Sequence, residues 1–258
     1  MRRFGQLLST ADVLSVVRAP GLLGAATACQ GSWSAACKRF QVEDLSLQSR
    51  FHLALSATVL LRRLIDVPVL SLRSDYQQQA FGFSYDISLY CEARGAAVRG
   101  YAVKNEAMQK AERPPVLTVE YSGRKDVTQL SESTRGLLFD DVQSYCRTLG
   151  IHSQYCFDSD RRFAFFVRTE QPPAPLHSLK DLKMMSGTEV TEEQFHYGCP
   201  CSRESVFAFV KRMPQRALED LINSGGRIAC KFCNEMYQWP AEELDALLGD
   251  PYKRFLGL

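Results

Sequence analysis

The spacing of apolar side chains changes period along this chain, and each change marks an element. Over Leu53–Leu64 (Leu-Ala-Leu-Ser-Ala-Thr-Val-Leu-Leu-Arg-Arg-Leu) apolar residues recur at i, i+3 and i+4, which predicts a buried helix. The period then falls to two. Val67–Leu72, Phe81–Cys91, Ala97–Val103 and Val116–Tyr121 read as strands, with alternation clearest in Ser84-Tyr-Asp-Ile-Ser-Leu-Tyr-Cys91. Ser122-Gly-Arg-Lys is a turn signal. A helix is predicted over Thr134–Leu149, ended by Gly150, and Arg161–Arg168 reads as a buried strand. Helices and strands without regular βαβ spacing predict an α+β fold, with a mixed α/β N-terminal domain ending near Thr169.

Gln171-Pro-Pro-Ala-Pro175 is a stiff, extended break. The polar stretch that follows, interrupted by Met184-Met185, reads as a linker. Helical spacing returns beyond it. Glu204–Arg212 places Val206, Phe207 and Val210 on one side. Pro214 opens a helix that stops at Gly225-Gly226, and a third follows Pro240 with Leu244, Leu247 and Leu248 on one face. The expected organisation is a basic segment over 1–40, the α+β domain over 41–170, a linker over 171–195 and a small, mainly helical module over 196–258.

A chain of 258 residues has room for one core and one small module. No apolar run approaches the ~20 residues that span a bilayer. The net charge of +2 is unevenly spread. Residues 1–40 hold Arg2, Arg3, Arg18, Lys38 and Arg39 against Asp12 alone, and are rich in Ser and Ala. This segment looks like an organelle transit peptide, which points to the mitochondrial matrix or another organelle. A plain basic N-terminal helix would leave the cytoplasm as the alternative. Residues 41–258 carry 26 basic and 28 acidic side chains, so no phosphate-neutralising surface is evident and neither nucleic acid nor membrane is an expected partner. Nine cysteines, an odd count, argue against a fully paired extracellular framework.

Four of those cysteines form a pattern: Cys199-Pro-Cys201, then Cys230-Lys-Phe-Cys233, with 28 residues between the pairs. Four thiolates suit one tetrahedral zinc ion, and a module this small needs such a staple. The same sulfurs could pair with their neighbours as two disulfides, so the pattern allows a permanent staple or a redox switch. The two states differ in what they hold. Zinc ties residues 199–201 to 230–233, whereas neighbour disulfides close only tiny loops and contribute little stability. A module in that state would lose its cross-link and expose Phe207, Phe209, Phe232, Tyr237 and Trp239.

Cys199-Pro-Cys-Ser-Arg-Glu204 together with Cys230-Lys-Phe-Cys-Asn-Glu-Met-Tyr237 resembles the C-terminal signature of the heat shock protein 33 family, the redox-regulated holdase chaperones. More weakly, Arg99-Gly-Tyr101, the Leu53–Leu64 helix and the Phe163–Val167 strand resemble elements of the family's main domain. The resemblance implies zinc bound by Cys199, Cys201, Cys230 and Cys233 in an inactive reduced protein. It implies oxidation to the disulfides Cys199–Cys201 and Cys230–Cys233 with release of zinc. Unfolding client proteins would then be held without ATP, with a homodimer of the oxidised form. Two features depart from the family: the basic first 40 residues, and a linker that is shorter and contains Pro172, Pro173 and Pro175. They keep a second reading open, a structural-zinc binding or assembly module on an organellar ribosome or other complex.

Other residues invite milder readings. His196 could stand in as a ligand, but four cysteines already complete a site. Cys91, Cys146 and Cys156 sit in apolar patterns and read as inert buried thiols, while Cys29 and Cys37 would leave with a cleaved leader. Arg99-Gly100 reads as a turn glycine beside a solvated arginine. Met184-Met185 reads equally as a client contact or as linker packing. No Ser/His/Asp frame, phosphate-binding glycine loop or H-E-x-x-H is present, and four thiolates leave zinc no open position, so no enzyme is expected.

Overall fold

A helix segment buried on every side must be enclosed, and the first unit of this protein is built around one, residues 54–61. The computed structural model describes residues 12–19, 22–27, 29–40, 44–80, 83–106, 115–129, 138–157, 164–169 and 187–248. Helix α2 spans Leu45–Ile65. Asp44 caps it, its carboxylate accepting from the Leu47 N–H at 3.1 Å. Phe51, Leu55, Leu60, Leu61 and Leu64 are buried on α2, as are Ala54, Ala57, Ser56 and Thr58. The Thr58 hydroxyl donates back to the Ala54 carbonyl at 2.6 Å, so its burial leaves no orphaned donor.

A ten-stranded sheet supplies the enclosure. Its strands are β1 (Asp12–Ala19), β2 (Leu22–Thr27), β3 (Val69–Ala80), β4 (Phe83–Arg94), β5 (Ala97–Glu106), β6 (Val116–Tyr121), β7 (Arg124–Gln129), β8 (Tyr155–Phe157), β9 (Ala164–Thr169) and β10 (Glu189–Tyr197). Their order is β7-β6-β3-β4-β5-β10-β1-β2-β9-β8. Helix α1 (Gln30–Phe40) and helix α3 (Leu138–Thr148) complete the unit. Helix α2 touches β2 and β9 as well as β3, β4 and β5, so the sheet wraps around it. One core holds Leu14, Val16 and Ala25 together with Leu70, Leu72, Ile87, Leu89 and Val98.

The expected strands are present, longer than their apolar patterns: β3 and β5 run on through polar residues. Three parts of the sequence reading need correction. Residues 1–40 were set apart as a leader, yet Asp12–Ala19 and Leu22–Thr27 are strands within the sheet and Gln30–Phe40 packs on it. The Asp12 carboxylate is buried and accepts from the Gly31 and Ser32 N–H groups at 2.8 and 2.7 Å, capping α1. Residues 171–195 were read as linker, yet β10 pairs with β1 over Glu189–Phe195. It also meets β5 in parallel, with His196 opposite Ala97 and Tyr197 opposite Val98. At the other side of the strand Glu193 meets the Arg63 guanidinium of α2 at 3.2 Å. The prolines and Met184-Met185 lie outside the described residues.

Gly100 is the third correction. It is a mid-strand residue of β5 opposite Cys91, not a turn. A Cβ there would sit 2.5 Å from the Tyr90 carbonyl oxygen, 2.9 Å from Cys91 Sγ and 3.0 Å from the Phe51 ring. The buried Tyr197 hydroxyl donates to the Gly100 carbonyl at 2.8 Å. Arg99 pairs with Glu92 at 2.9 Å on the outer face. Gly100→Ala is therefore expected to destabilise the first unit by about 1–3 kcal/mol, read as a lower urea midpoint.

The chain divides into two compact units, Met1–Gly198 and Cys199–Leu258. The second contains helices α4 (Arg203–Val210), α5 (Gln215–Asn223) and α6 (Ala241–Leu248) and a hairpin of β11 (Arg227–Ala229) and β12 (Met236–Gln238). It is mixed in secondary structure rather than mainly helical. Its core is small: Val210, Leu218, Leu221, Trp239 and Leu244.

Candidate metal centre

Local chemistry places the four cysteines. Cys199 and Cys201 precede α4, whose start is fixed by a capping box. The Ser202 hydroxyl accepts from the Ser205 N–H at 3.2 Å, and the Ser205 hydroxyl accepts from the Ser202 N–H at 2.8 Å. Cys230 and Cys233 lie in the turn between β11 and β12. The Asn234 N–H donates to the Cys230 carbonyl at 2.8 Å and the Cys230 N–H to the Glu235 carbonyl at 2.9 Å. Asn234 has φ 53°, the left-handed conformation that Asn tolerates, and this turns the chain around Cys233. Gly226 anchors the hairpin to the core. It has φ 67°, and a Cβ would lie 2.3 Å from the Trp239 carbonyl oxygen.

All four sulfurs fall within 4.8 Å of one another. Cys199 Sγ and Cys230 Sγ are 3.7 Å apart, Cys201 Sγ and Cys233 Sγ 3.1 Å. A zinc ion with four sulfurs at the usual bond length has edges of about 3.8 Å, so the first contact fits and the second would open slightly. Both close contacts run across the long gap, joining one pair to the other. The quartet can hold a metal ion.

The thiols differ in acidity. The hydrogen bond from Cys233 pulls Cys199 down to about 4. The same bond pushes Cys233 up, and burial raises Cys201. Tyr237 lies beside this group: its hydroxyl donates to Cys201 Sγ at 3.1 Å and to the Cys201 carbonyl at 3.3 Å. Burial pushes the Tyr237 phenol up, so it stays a donor. The sequence places Tyr237 in the signature and among the apolar side chains the module would expose, and does not place it against the cysteines. Its alternating position on β12, opposite Ile228, is the signal that could have aimed it inward.

The other cysteines with described side chains are of another kind, and the Cys156 side chain lies outside the described residues. Burial raises Cys29 to about 12 and Cys37 and Cys146 to about 11, and lifts Cys91 well above its ordinary value. Cys29, Cys91 and Cys146 are buried in the first core. Such burial favours the neutral thiol over the reactive thiolate. Cys29 and Cys37, expected to leave with a leader, belong to the folded unit. His196 is exposed on β10, and the group of metal-capable side chains contains the four cysteines without it.

Fold and site together define a class: a sheet-wrapped α+β unit followed by a compact four-cysteine module. Comparison with known proteins places that class. The family model described as Hsp33 protein matches residues 170–240. The 33 kDa chaperonin of Streptococcus pyogenes serotype M3 (strain ATCC BAA-595 / MGAS315) is 31% identical over 96 residues, 32% of this chain and 33% of that protein. The 33 kDa chaperonin of serotype M6 (strain ATCC BAA-946 / MGAS10394) is 30% identical over the same length. The matched region thus spans about a third of these curated relatives. The crystal structure of the 33 kDa chaperonin (heat shock protein 33 homologue) of Thermotoga maritima superposes with a TM-score of 0.68 at 16% identity, covering 93% of this chain and 98% of that one. The resemblance to the heat shock protein 33 family is therefore shown, by sequence across the cysteine module and by fold along almost the whole chain. These relatives are named chaperonins, not enzymes.

Proposed function

We propose that this protein is a redox-regulated holdase. Reduced, it holds one zinc ion through Cys199, Cys201, Cys230 and Cys233. Oxidised, it forms Cys199–Cys201 and Cys230–Cys233, releases zinc and binds unfolding proteins without ATP. The observation that carries the reading is the convergence of four sulfurs from two distant segments in a unit with a five-residue core. Zinc would supply about 10–16 kcal/mol of apparent binding energy to such a folded unit. Neighbour disulfides would discard that cross-link, because the close sulfur contacts run between the pairs. Apolar side chains of the module, Trp239 and Phe207 among them, would then reach solvent and clients. The oxidised form is proposed to associate as a homodimer, which sedimentation reads.

The test is suppression of aggregation of a heat-unfolded client enzyme by the reduced and the peroxide-treated protein. Suppression by the oxidised form alone supports the reading, and suppression by neither refutes it. One observation favours a second reading, a structural-zinc assembly module: β10 is bound into the sheet up to Tyr197, two residues from Cys199, which shortens any segment free to unfold. That reading predicts zinc retained under mild oxidant and co-sedimentation with a large complex. For an organellar destination the remaining support is the basic opening Met1-Arg-Arg, since residues 12–40 belong to the fold. Imaging of a C-terminally tagged chain tests it.

A further inference from the structure

Tyr237 stands where the metal centre meets the core of the second unit. Its hydroxyl lies 3.1 Å from Cys201 Sγ and 3.3 Å from the Cys201 carbonyl oxygen. Its ring stacks on Trp239 at 6.3 Å between centroids, and Trp239 stacks on Phe207 at 5.7 Å. Trp239 is fully buried in the five-residue core. The phenol therefore belongs to the hairpin that carries Cys230 and Cys233, yet it grips Cys201 on the other cysteine segment.

We infer that Tyr237 is a positioning residue for Cys201: its hydroxyl holds that sulfur in the quartet and slows its oxidation. The inference rests on the reading of the quartet as a zinc site. The chemical reason is lone-pair density. A metal-bound thiolate that also accepts an O–H bond offers less density to an electrophile. In the step concerned, the Cys201 sulfur gives an electron pair to one oxygen of hydrogen peroxide, the O–O bond breaks and hydroxide leaves. A neighbouring thiolate then attacks the sulfenic sulfur, forming the S–S bond and releasing a second hydroxide. Two thiolates lose two electrons and one peroxide gains them. Loss of the O–H bond exposes the first step. It also frees the segment bearing Cys201 from the aromatic stack.

The test compares wild type with Tyr237→Phe, which keeps the ring and its stacking. Both are reduced, loaded with zinc and exposed to peroxide, while released zinc is followed with a colorimetric chelator. Tyr237→Phe is expected to load one zinc per chain and to release it about tenfold faster, the scale of one hydrogen bond to a charged acceptor. Equal release rates overturn the inference. If Tyr237→Phe does not fold, 3-fluorotyrosine at position 237 serves instead. It is a stronger donor of nearly the same shape, so slower release supports the inference and an unchanged rate overturns it. If wild type binds no zinc, the metal reading fails and Tyr237 is judged separately by the alkylation rate of Cys201 in the reduced protein. Faster alkylation in the variant supports its positioning role, and equal rates refute it.

Discussion

Stripping zinc from the reduced, loaded protein with a strong chelator is expected to unfold the second unit and to leave the sheet and helices of the first unit folded. The magnitudes make this one-sided. Among the described residues the second unit has five buried apolar residues in its core with partly buried ones packed around them, and a side chain of that kind contributes roughly 1.5–3 kcal/mol when fully buried. A core of that size seldom holds so small a unit folded without a metal or disulfides. A structural zinc site would contribute about 10–16 kcal/mol, so loss of the proposed metal is expected to cost the unit its fold. Hydrogen exchange should show protection lost across α4, α5, α6 and the hairpin while α2 stays protected. Cys233→Ser should give the same pattern without a chelator. Unchanged protection in the second unit after complete metal removal would contradict the account.

A chain that starts at residue 41 is expected not to fold its first unit. Such a chain lacks β1 and β2, which join β10 to β9 in the sheet, and the α1 helix that Asp12 caps. The side chains of Leu14, Val16, Val17 and Leu22 alone, all buried, represent on the order of 6–12 kcal/mol, comparable with the whole stability of an ordinary domain. Two strands would also be left with unpaired edges, which promotes aggregation. Recovery of a soluble, cooperatively unfolding residue 41–258 chain would show that the first strands are dispensable and restore the leader reading of the whole segment.

What was legible in the sequence follows physical lines. Helix α2 and strands β4 to β6 bury one regular stripe each, or every side, so their periodicity survives in the amino-acid order. Strand β7 (Arg-Lys-Asp-Val-Thr-Gln) has a single apolar residue because it is a sheet edge with exposed side chains, and no period marks it. Strand β10 is similar. Most of its residues are exposed, only Phe195 and Tyr197 are buried, and the partner that stabilises it is 170 or more residues earlier in the chain. Strand β1 did carry an apolar run, Val13-Leu-Ser-Val-Val17, but the Arg, Ser and Ala content around it resembled a leader and outweighed the local signal. Gly100 reads as a turn in one dimension. Only the approach of Phe51 and Cys91 shows why that position excludes a side chain.

The convergence of the four cysteines was legible, because their paired spacing points to a shared site without reference to the rest of the fold. Its surroundings were not. The hydrogen bond from Tyr237 to Cys201 joins residues 36 positions apart and depends on hairpin register, which a sequence does not print. The short connection between β10 and Cys199 has the same origin.

The central claim is that one site serves as both staple and switch. The most direct measurement titrates the reduced, zinc-loaded protein with peroxide, counting zinc released per chain and mapping disulfides by mass spectrometry at each dose. The account predicts one zinc released in step with Cys199–Cys201 and Cys230–Cys233, and with the onset of aggregation suppression. Zinc retained while other thiols oxidise, or zinc lost with no gain in suppression at any dose, would contradict it.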